Sequence, residues 1–218
     1  VIEKKLKSMP DGTKWSVSVR DLKSDRMANV RADTTHEAAA LSDLFLLPAL
    51  EKKSDATIWK NRVGKDTIGN CVLYMIKASD RQCATALANH VNWKNVDPSL
   101  EGLGFKKTKL ASSDRQVTTS REVADMLYRL QTAQVLSDKA RRVVFDGLYA
   151  QKSRDGVPKG CGIDCLVGNK TGDSVIVKHD AAVVTHGETK YIVVIMSTGA
   201  TWDQVAEVAK TVDTAFKP

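Results

Sequence analysis

The sequence predicts an α+β fold: a five-stranded antiparallel sheet flanked by helices, with an all-helical insertion between the second and third strands. Three observations carry this expectation. Strand-like alternation is confined to two regions, around residues 15–31 and 165–197. The stretch between them reads as helix. A last amphipathic helix, residues 201–216, follows the final strand. Two strands, a helical block, three strands and a terminal helix most simply give one antiparallel sheet with helices packed on it.

Each element has its local reason. Residues 2–8 look like the end of an amphipathic helix, stopped by Pro10-Asp11-Gly12. Trp15, Val17 and Val19 alternate with Ser16, Ser18 and Arg20, the period of a half-buried strand. A turn over Asp21–Asp25 returns the chain through Met27–Arg31 as a hairpin. From His36 to about Lys53 the chain reads as a helix that is apolar on nearly every side, hence the buried middle of the domain. Pro48 inside it should kink or strain it. Thr67–Ala78 and Gln82–Val91 are two helices broken at Ser79-Asp80, and Ser120–Leu130 and Ser137–Ala150 open on serine caps. Cys165–Asn169, Val175–Thr185 and Lys190–Ser197 are β-branched and alternating. Their connections fall at Thr171-Gly172-Asp173 and around His186-Gly187-Glu188. With no repeat and no low-complexity linker, the chain reads as a single domain over residues 1–218. Its sheet part is about 1–35 and 160–218, and its helical part about 36–159.

Composition narrows the function classes. Hydrophobic residues at 42% and charged residues at 27% exclude disordered and fibrous chains. The longest apolar runs, such as Tyr191–Met196, are too short to span a bilayer. There is no basic-then-apolar leader, so any export signal is expected to have been removed or to lie outside this chain. The net charge of +7 is scattered, its tightest clusters being pairs such as Lys106-Lys107, and aromatics are only 6%. That pattern favours a solvated basic surface over a nucleic-acid interface, with anionic envelope polymers as further candidates. No cofactor is expected. The cysteines are Cys71, Cys83, Cys161 and Cys165, and the histidines His36, His90, His179 and His186 are dispersed, none at zinc-ligand spacing. Two disulfides in an oxidising compartment explain the even count better than a metal site, with free buried thiols as the other alternative.

Five segments stand in an informative order. Ser79-Asp80-Arg81 lies in the helix break. Leu103-Gly104-Phe105 precedes Thr118-Thr119-Ser120-Arg121-Glu122-Val123-Ala124. Arg154-Asp155-Gly156-Val157-Pro158 leads into a strand, which ends at Gly168-Asn169-Lys170-Thr171-Gly172 and is followed by Val177-Lys178-His179-Asp180-Ala181. Together they resemble the serine β-lactamase and penicillin-binding protein superfamily, class A-like serine hydrolases in particular. The resemblance implies a β-lactamase/transpeptidase-like fold and assigns roles residue by residue.

In that family a Ser-x-x-Lys motif opens the buried helix, with serine and lysine one turn apart on one face. The lysine, or a carboxylate-bound water, removes the hydroxyl proton. The matching stretch is Ser42-Asp43-Leu44-Phe45, with Phe45 in the place of the base, and nowhere does a serine stand three residues before a lysine. Ser42, Ser79 and Lys170 are thus the family-equivalent catalytic positions. Arg81 replaces the family's asparagine, and arginine accepts no hydrogen bond. Between Gly104 and Thr118 there is no glutamate to drive deacylation; Glu101 is the sole one nearby. Lys170, Thr171 and Gly172 survive as the strand edge that binds a substrate carboxylate in the family, with Arg81 beside it. The plainer readings are Ser79 as a helix cap, His179 and Asp180 as packing beneath the site, and Trp59 and Trp93 as core rather than glycan platforms.

The resemblance thus implies an exported bacterial protein, catalytically impaired, that binds or scaffolds at the cell envelope. Its expected partner is cell-wall or another anionic envelope polymer, or an envelope protein, with contact to a membrane only through a segment outside this chain. The alternative is a weak serine hydrolase, β-lactamase or penicillin-binding activity through Ser42. Cys71 and Cys83 flank the Ser79-Asp80 break and are expected to bridge there, while Cys161 and Cys165, four apart, can close if the turn is tight. Both bridges fit an extracytoplasmic location, whether the protein is secreted, a lipoprotein or a membrane-anchored ectodomain.

Overall fold

A computed structural model describes residues 1–53, 58–111 and 115–216. After helix α1 (Ile2–Lys7), strands β1 (Lys14–Asp21) and β2 (Met27–Val30) form the expected hairpin, with Val17 opposite Val30. A short strand β3 (Thr35–Glu37) and a single 3-10 turn, Ala39–Leu41, lead into helix α2 (Ser42–Lys53). A small hairpin of β4 (Arg62–Val63) and β5 (Asp66–Thr67) precedes α3 (Ile68–Ala78) and α4 (Arg81–Val91). Then come α5 (Val96–Gly102), strand β6 (Val117–Thr119), α6 (Ser120–Gln131), α7 (Asp138–Tyr149) and the short α8 (Val157–Cys161). Strands β7 (Cys165–Asp173), β8 (Val177–His186) and β9 (Thr189–Thr198) and helix α9 (Trp202–Phe216) complete the described chain.

The main sheet is antiparallel in the order β2-β1-β9-β8-β7. The chain returns from the helical block to the far edge of this sheet, and β9 closes against β1, with Val17 opposite Ile195. Apolar side chains leave both faces. Ala181, Val183, Ile192, Val194 and Met196 join the core of the helical layer around α2, α3, α6 and α7. Ala182, Val184, Val193 and Ile195, with Trp15, Val17 and Val19, pack against α1, α8 and α9. Strand β1 is therefore covered on both sides, not half-buried as its alternation suggests: Ser16 and Ser18 are buried too, under the helical layer. Serines small enough to lie beneath a helix, one of them bonded to Asn29 at 2.6 Å, read as a solvent face in sequence. No helix among the described residues is long and apolar enough to cross a membrane.

Three further departures from the sequence expectation have local causes. The segment 36–41 is a strand and a 3-10 turn, because β3 pairs with β6, Thr35 opposite Thr119, before α2 begins at Ser42. Helix α2 runs through Pro48 without ending; its neighbours Leu46, Leu47 and Leu50 are buried, so tertiary packing holds a turn that lacks one backbone donor. Strand β7 extends to Asp173 and carries Thr171-Gly172 inside its ladder with β8, with the connection falling over residues 174–176.

The segment between α5 and β6 is held by carboxylates. Glu122 accepts the backbone N–H groups of Lys106, Lys107 and Thr108 at 2.8, 2.9 and 2.6 Å, and Asp97 accepts that of Leu110 at 2.8 Å. Residues 112–114 of the stretch Gly104–Thr118 lie outside the described residues. Tight helix packing also relies on absent side chains. A Cβ added at Gly160 in α8 would stand 2.3 Å from the Ala206 carbonyl oxygen of α9.

Candidate functional site

Three elements converge on one buried ammonium. Strand β7 presents Lys170 toward the helical layer, flanked on the same face by Gly168 and Gly172. Both glycines are needed there. A Cβ at position 168 would lie 3.0 Å from the Tyr149 ring, and one at 172 would lie 3.2 Å from Leu41 Cγ and 3.3 Å from the Ala38 carbonyl. Bare backbone on either side of Lys170 lets α7 and the 3-10 turn close over it, and Lys170 is completely buried. Its Nζ lies 3.1 Å from Asp43 Oδ2 and donates to Ser79 Oγ at 2.6 Å.

Asp43 sits in the first turn of α2, the one charged side chain in the apolar stretch Ala38–Leu50. Burial pushes its carboxyl above the ordinary carboxylate range, against the pull of Lys170 and Arg81. Burial likewise pushes the Lys170 ammonium down, against the pull of Asp43 and Asp180. Each group is the other's main compensation in a site closed to water.

Ser79 is positioned by the break between α3 and α4. It adopts a left-handed conformation, φ 52° and ψ 42°, that ends α3, and Asp80 then caps α4 by accepting the Cys83 N–H at 2.9 Å. So Ser79 closes a helix, the cap of the next is Asp80, and the Ser79 hydroxyl points at Lys170. A non-glycine residue in this region costs about 1–2 kcal/mol, a strain typical of functional loops. The Cys71–Cys83 disulfide ties the two helices across the break, Cα atoms 4.8 Å apart. Gln151 and Lys152 donate to the carbonyls of Ile76 and Lys77 at the end of α3, at 2.7 and 2.9 Å.

The remaining sequence candidates fall in different places. Ser42 is buried, and its hydroxyl donates to the Ala39 carbonyl at 2.9 Å, outside the Lys170 cluster. Phe45 is buried in the helical core, edge-on to Phe105 with centroids 5.5 Å apart. The α2 side chain that faces Lys170 is Asp43, and the residue three positions before it, in the 3-10 turn that leads into the helix, is Ala40. Placed against Lys170 and Ser79, the Ser-x-x-Lys pattern thus falls on Ala40-Leu41-Ser42-Asp43, two residues earlier than the stretch singled out from sequence. A lone acidic residue inside an apolar helix was the signal for this register, since a buried charge requires a partner. Arg81 is exposed beside the cluster, whereas Thr171 and Gly172 are buried in β7. Glu101 is ion-paired with Lys109. Trp59 is core, and Trp93 is half-buried with its indole N–H donating to the Leu110 carbonyl at 3.1 Å.

Behind β7 a second polar layer fixes the strand. Asp180 accepts Asn169 Nδ2 at 2.9 Å and the Val157 N–H at 2.7 Å, and Arg154 donates to the Val167 carbonyl and to Asn169 Oδ1 at 2.9 and 3.1 Å. Burial raises the Asp180 carboxyl to about 7. His179, also fully buried, accepts the Ser197 N–H on Nδ1 at 3.1 Å, so its Nε2–H donates to the Glu37 carbonyl at 2.8 Å. Burial lowers both His179 and its edge-on neighbour His36 to about 4.

Comparison with known proteins matches residues 40–215 to the β-lactamase enzyme family. No curated protein matches the sequence. Among solved structures, the β-lactamase of Sphaerobacter thermophilus superposes with a TM-score of 0.87 at 15% identity, covering 100% of this chain and 98% of that one. The β-lactamase of Streptomyces albus G gives 0.86 at 18%, covering 98% and 97%. The protein PBP-A gives 0.86 at 18%, covering 99% and 95%. At these identities the structural likeness speaks for the fold alone.

Two outcomes follow from the buried groups. Asp43→Leu and Lys170→Met should each lower the unfolding free energy by about 3–5 kcal/mol, by stranding the opposite charge. The double variant should lose much less than the sum, measured by denaturant unfolding as a double-mutant cycle. The buried histidines should also make stability depend on pH. Below its unfolded value of 6.5, each of His36 and His179 is protonated when unfolded but neutral when folded, down to about pH 4. Their contribution is therefore lost as pH falls through that window. Asp180, raised to about 7, holds a proton in the folded state that the unfolded state releases, and so opposes this slope. Asp43, raised by burial, acts in the same sense as Asp180. Relative to the unaltered protein, unfolding free energy measured from about pH 7 down to 5 should change toward greater stability in His179→Gln and toward lower stability in Asp180→Asn.

Proposed function

The chain belongs to the β-lactamase enzyme family, and we propose that it is a catalytically impaired member, exported from a bacterial cell, that acts as a binding or scaffolding protein at the envelope. The Asp43–Lys170 pair carries this reading. In the 3-10 turn that leads into α2, Ala40, three residues before Asp43, offers only a methyl group where the family's motif needs a hydroxyl. Asp43 stands where it needs a lysine. The Ser79 hydroxyl accepts from Lys170, so its lone pair is engaged by a donor. The charge of Lys170 is answered from within the protein and its side chain is closed to solvent, leaving exposed Arg81 as the cation beside the cluster that meets an anionic ligand. The net charge of +7 supports a polyanion as that ligand. The two disulfides support an oxidising, extracytoplasmic location.

One observation favours a weak serine hydrolase as a second reading. Ser79 Oγ is 2.6 Å from a lysine whose pKa is lowered by burial, a geometry in which that lysine, once neutral, could draw off the hydroxyl proton. On this reading the acylated residue is Ser79, not Ser42.

Incubation with a fluorescent penicillin should leave the protein unlabelled in gels and unshifted in intact mass. An adduct on Ser79 or Ser42 would establish the hydrolase reading instead. The double substitution Ala40→Ser with Asp43→Lys should restore nucleophile and base on one face and raise acylation at least about 10²-fold above that of the unaltered protein. Binding to an anionic wall polymer, followed by sedimentation with purified walls, should weaken with salt and with Arg81→Glu. Walls that retain neither form of the protein would remove the envelope role.

A further inference from the structure

At the end of the β7–β8 ladder remote from Lys170, the fold gathers four side chains that are dispersed in sequence. Cys161 ends α8, Cys165 begins β7, His186 ends β8, and Asp213 lies in the last turns of α9. Cys165 is five residues from Lys170, roughly 17 Å along an extended strand, so the two sites are separate. Asp213 Oδ1 is 3.2 Å from Cys161 Sγ, 3.7 Å from Cys165 Sγ and 2.9 Å from His186 Nδ1, and Cys165 Sγ is 3.3 Å from His186 Nδ1. One ligand atom from each of the four residues falls within 4.8 Å of the others.

These separations approach those around a common ion: the Cys165 contacts to His186 and Asp213 match it, and the shorter Asp213 contacts to His186 and Cys161 would lengthen slightly on binding. With zinc–sulfur bonds of about 2.3 Å and zinc–nitrogen or zinc–oxygen bonds of about 2.0 Å, a tetrahedral ion holds its ligand atoms about 3.3–3.8 Å apart. The cysteines have the C-x₃-C spacing found in structural zinc sites. A partner that steadies a ligand is present too: the Tyr191 hydroxyl donates to Asp213 Oδ1 at 3.0 Å, and its ring is stacked on Phe216 at 4.3 Å. Asp213 and Cys161 are buried, while the His186 side chain keeps 18% exposure and gives a path from solvent.

In the structure Cys161 and Cys165 are joined as a disulfide, Cα atoms 6.0 Å apart. We propose that this bridge is the oxidised form of a redox-gated metal site, and that in the dithiol form Cys161, Cys165, His186 and Asp213 bind one zinc-class divalent ion. A dithiol reductant delivers two electrons and two protons to the bridge, opens it to two thiols and is itself oxidised to a disulfide. Binding of the ion then releases the two thiol protons, leaving two thiolates, a neutral imidazole and a carboxylate around it. A disulfide oxidant reverses this: it takes two electrons from the two thiolates and, with two protons from solvent, becomes a dithiol, while the bridge re-forms and the ion is released. The Cys71–Cys83 bridge, around which no comparable group of three or more possible metal ligands forms among the described residues, serves as the internal contrast.

The test is cobalt and zinc binding by the full chain before and after reduction with a phosphine and removal of the reductant. The reduced protein should take up one cobalt ion per chain, with sulfur-to-cobalt charge transfer and the intense visible bands of a four-coordinate ion, and zinc should displace it. The untreated protein should show neither. His186→Ala and Asp213→Asn should each weaken zinc at least about tenfold, and Tyr191→Phe by a smaller factor. Cys71→Ser with Cys83→Ser should leave the signal intact, which separates the two cysteine pairs. If Asp213→Asn fails to fold, His186→Ala decides alone. Absence of charge transfer in the reduced protein, or equal affinity in His186→Ala, would overturn the site.

Discussion

A lysine ammonium with no exposure to water sets the terms for the middle of this molecule. Lys170 can stay there only because Asp43 brings a carboxylate to 3.1 Å and Ser79 offers an acceptor at 2.6 Å. An unpaired ion in that position would cost several kcal/mol. Both partners come from segments otherwise unsuited to a core: a charged residue inside an apolar helix, and a serine in a left-handed turn. Gly168 and Gly172 complete the arrangement by letting α7 and the 3-10 turn approach the strand on either side of the charge.

The surrounding structure serves to hold these three groups in place. Strand β7 is fixed from behind by Asp180, Asn169 and Arg154, and the α3–α4 break by the Cys71–Cys83 bridge and by Gln151 and Lys152. His179 joins β8 to β9 and donates to the Glu37 carbonyl, which ties the main sheet to the end of β3 just before the 3-10 turn. The solved β-lactamases share the overall fold in which these groups are held. A pair that neutralises Lys170 internally leaves little of its charge for a ligand to engage.

Several parts of the fold were legible in the sequence because they rest on local signals. Alternation marked β1, β8 and β9, and a serine cap marked α7, whereas α6 is capped by Thr119 and not by Ser120. Of the family-equivalent positions Ser42, Ser79 and Lys170, the last two meet. The same local signals misled at β1, where buried serines imitate a wet face. They also misled at the start of α2, where pairing with β6 replaces the first turns of the helix by a strand.

The five strands of the main sheet and most of the longer helices were thus legible in the sequence, through periodicity and turn chemistry that act within a few residues, while the short strands β3–β6 and the helices α5 and α8 were not. Tertiary structure alone decided which side chain of α2 meets Lys170. A helix turns about 100° per residue, so the two-residue difference between Phe45 and Asp43 carries a side chain to another face. It also decided that His186 and Asp213 meet the Cys161–Cys165 pair, because the ends of β8 and α9 are brought to it only by the packed fold. No sequence spacing encodes a contact between residues that the fold itself must bring together.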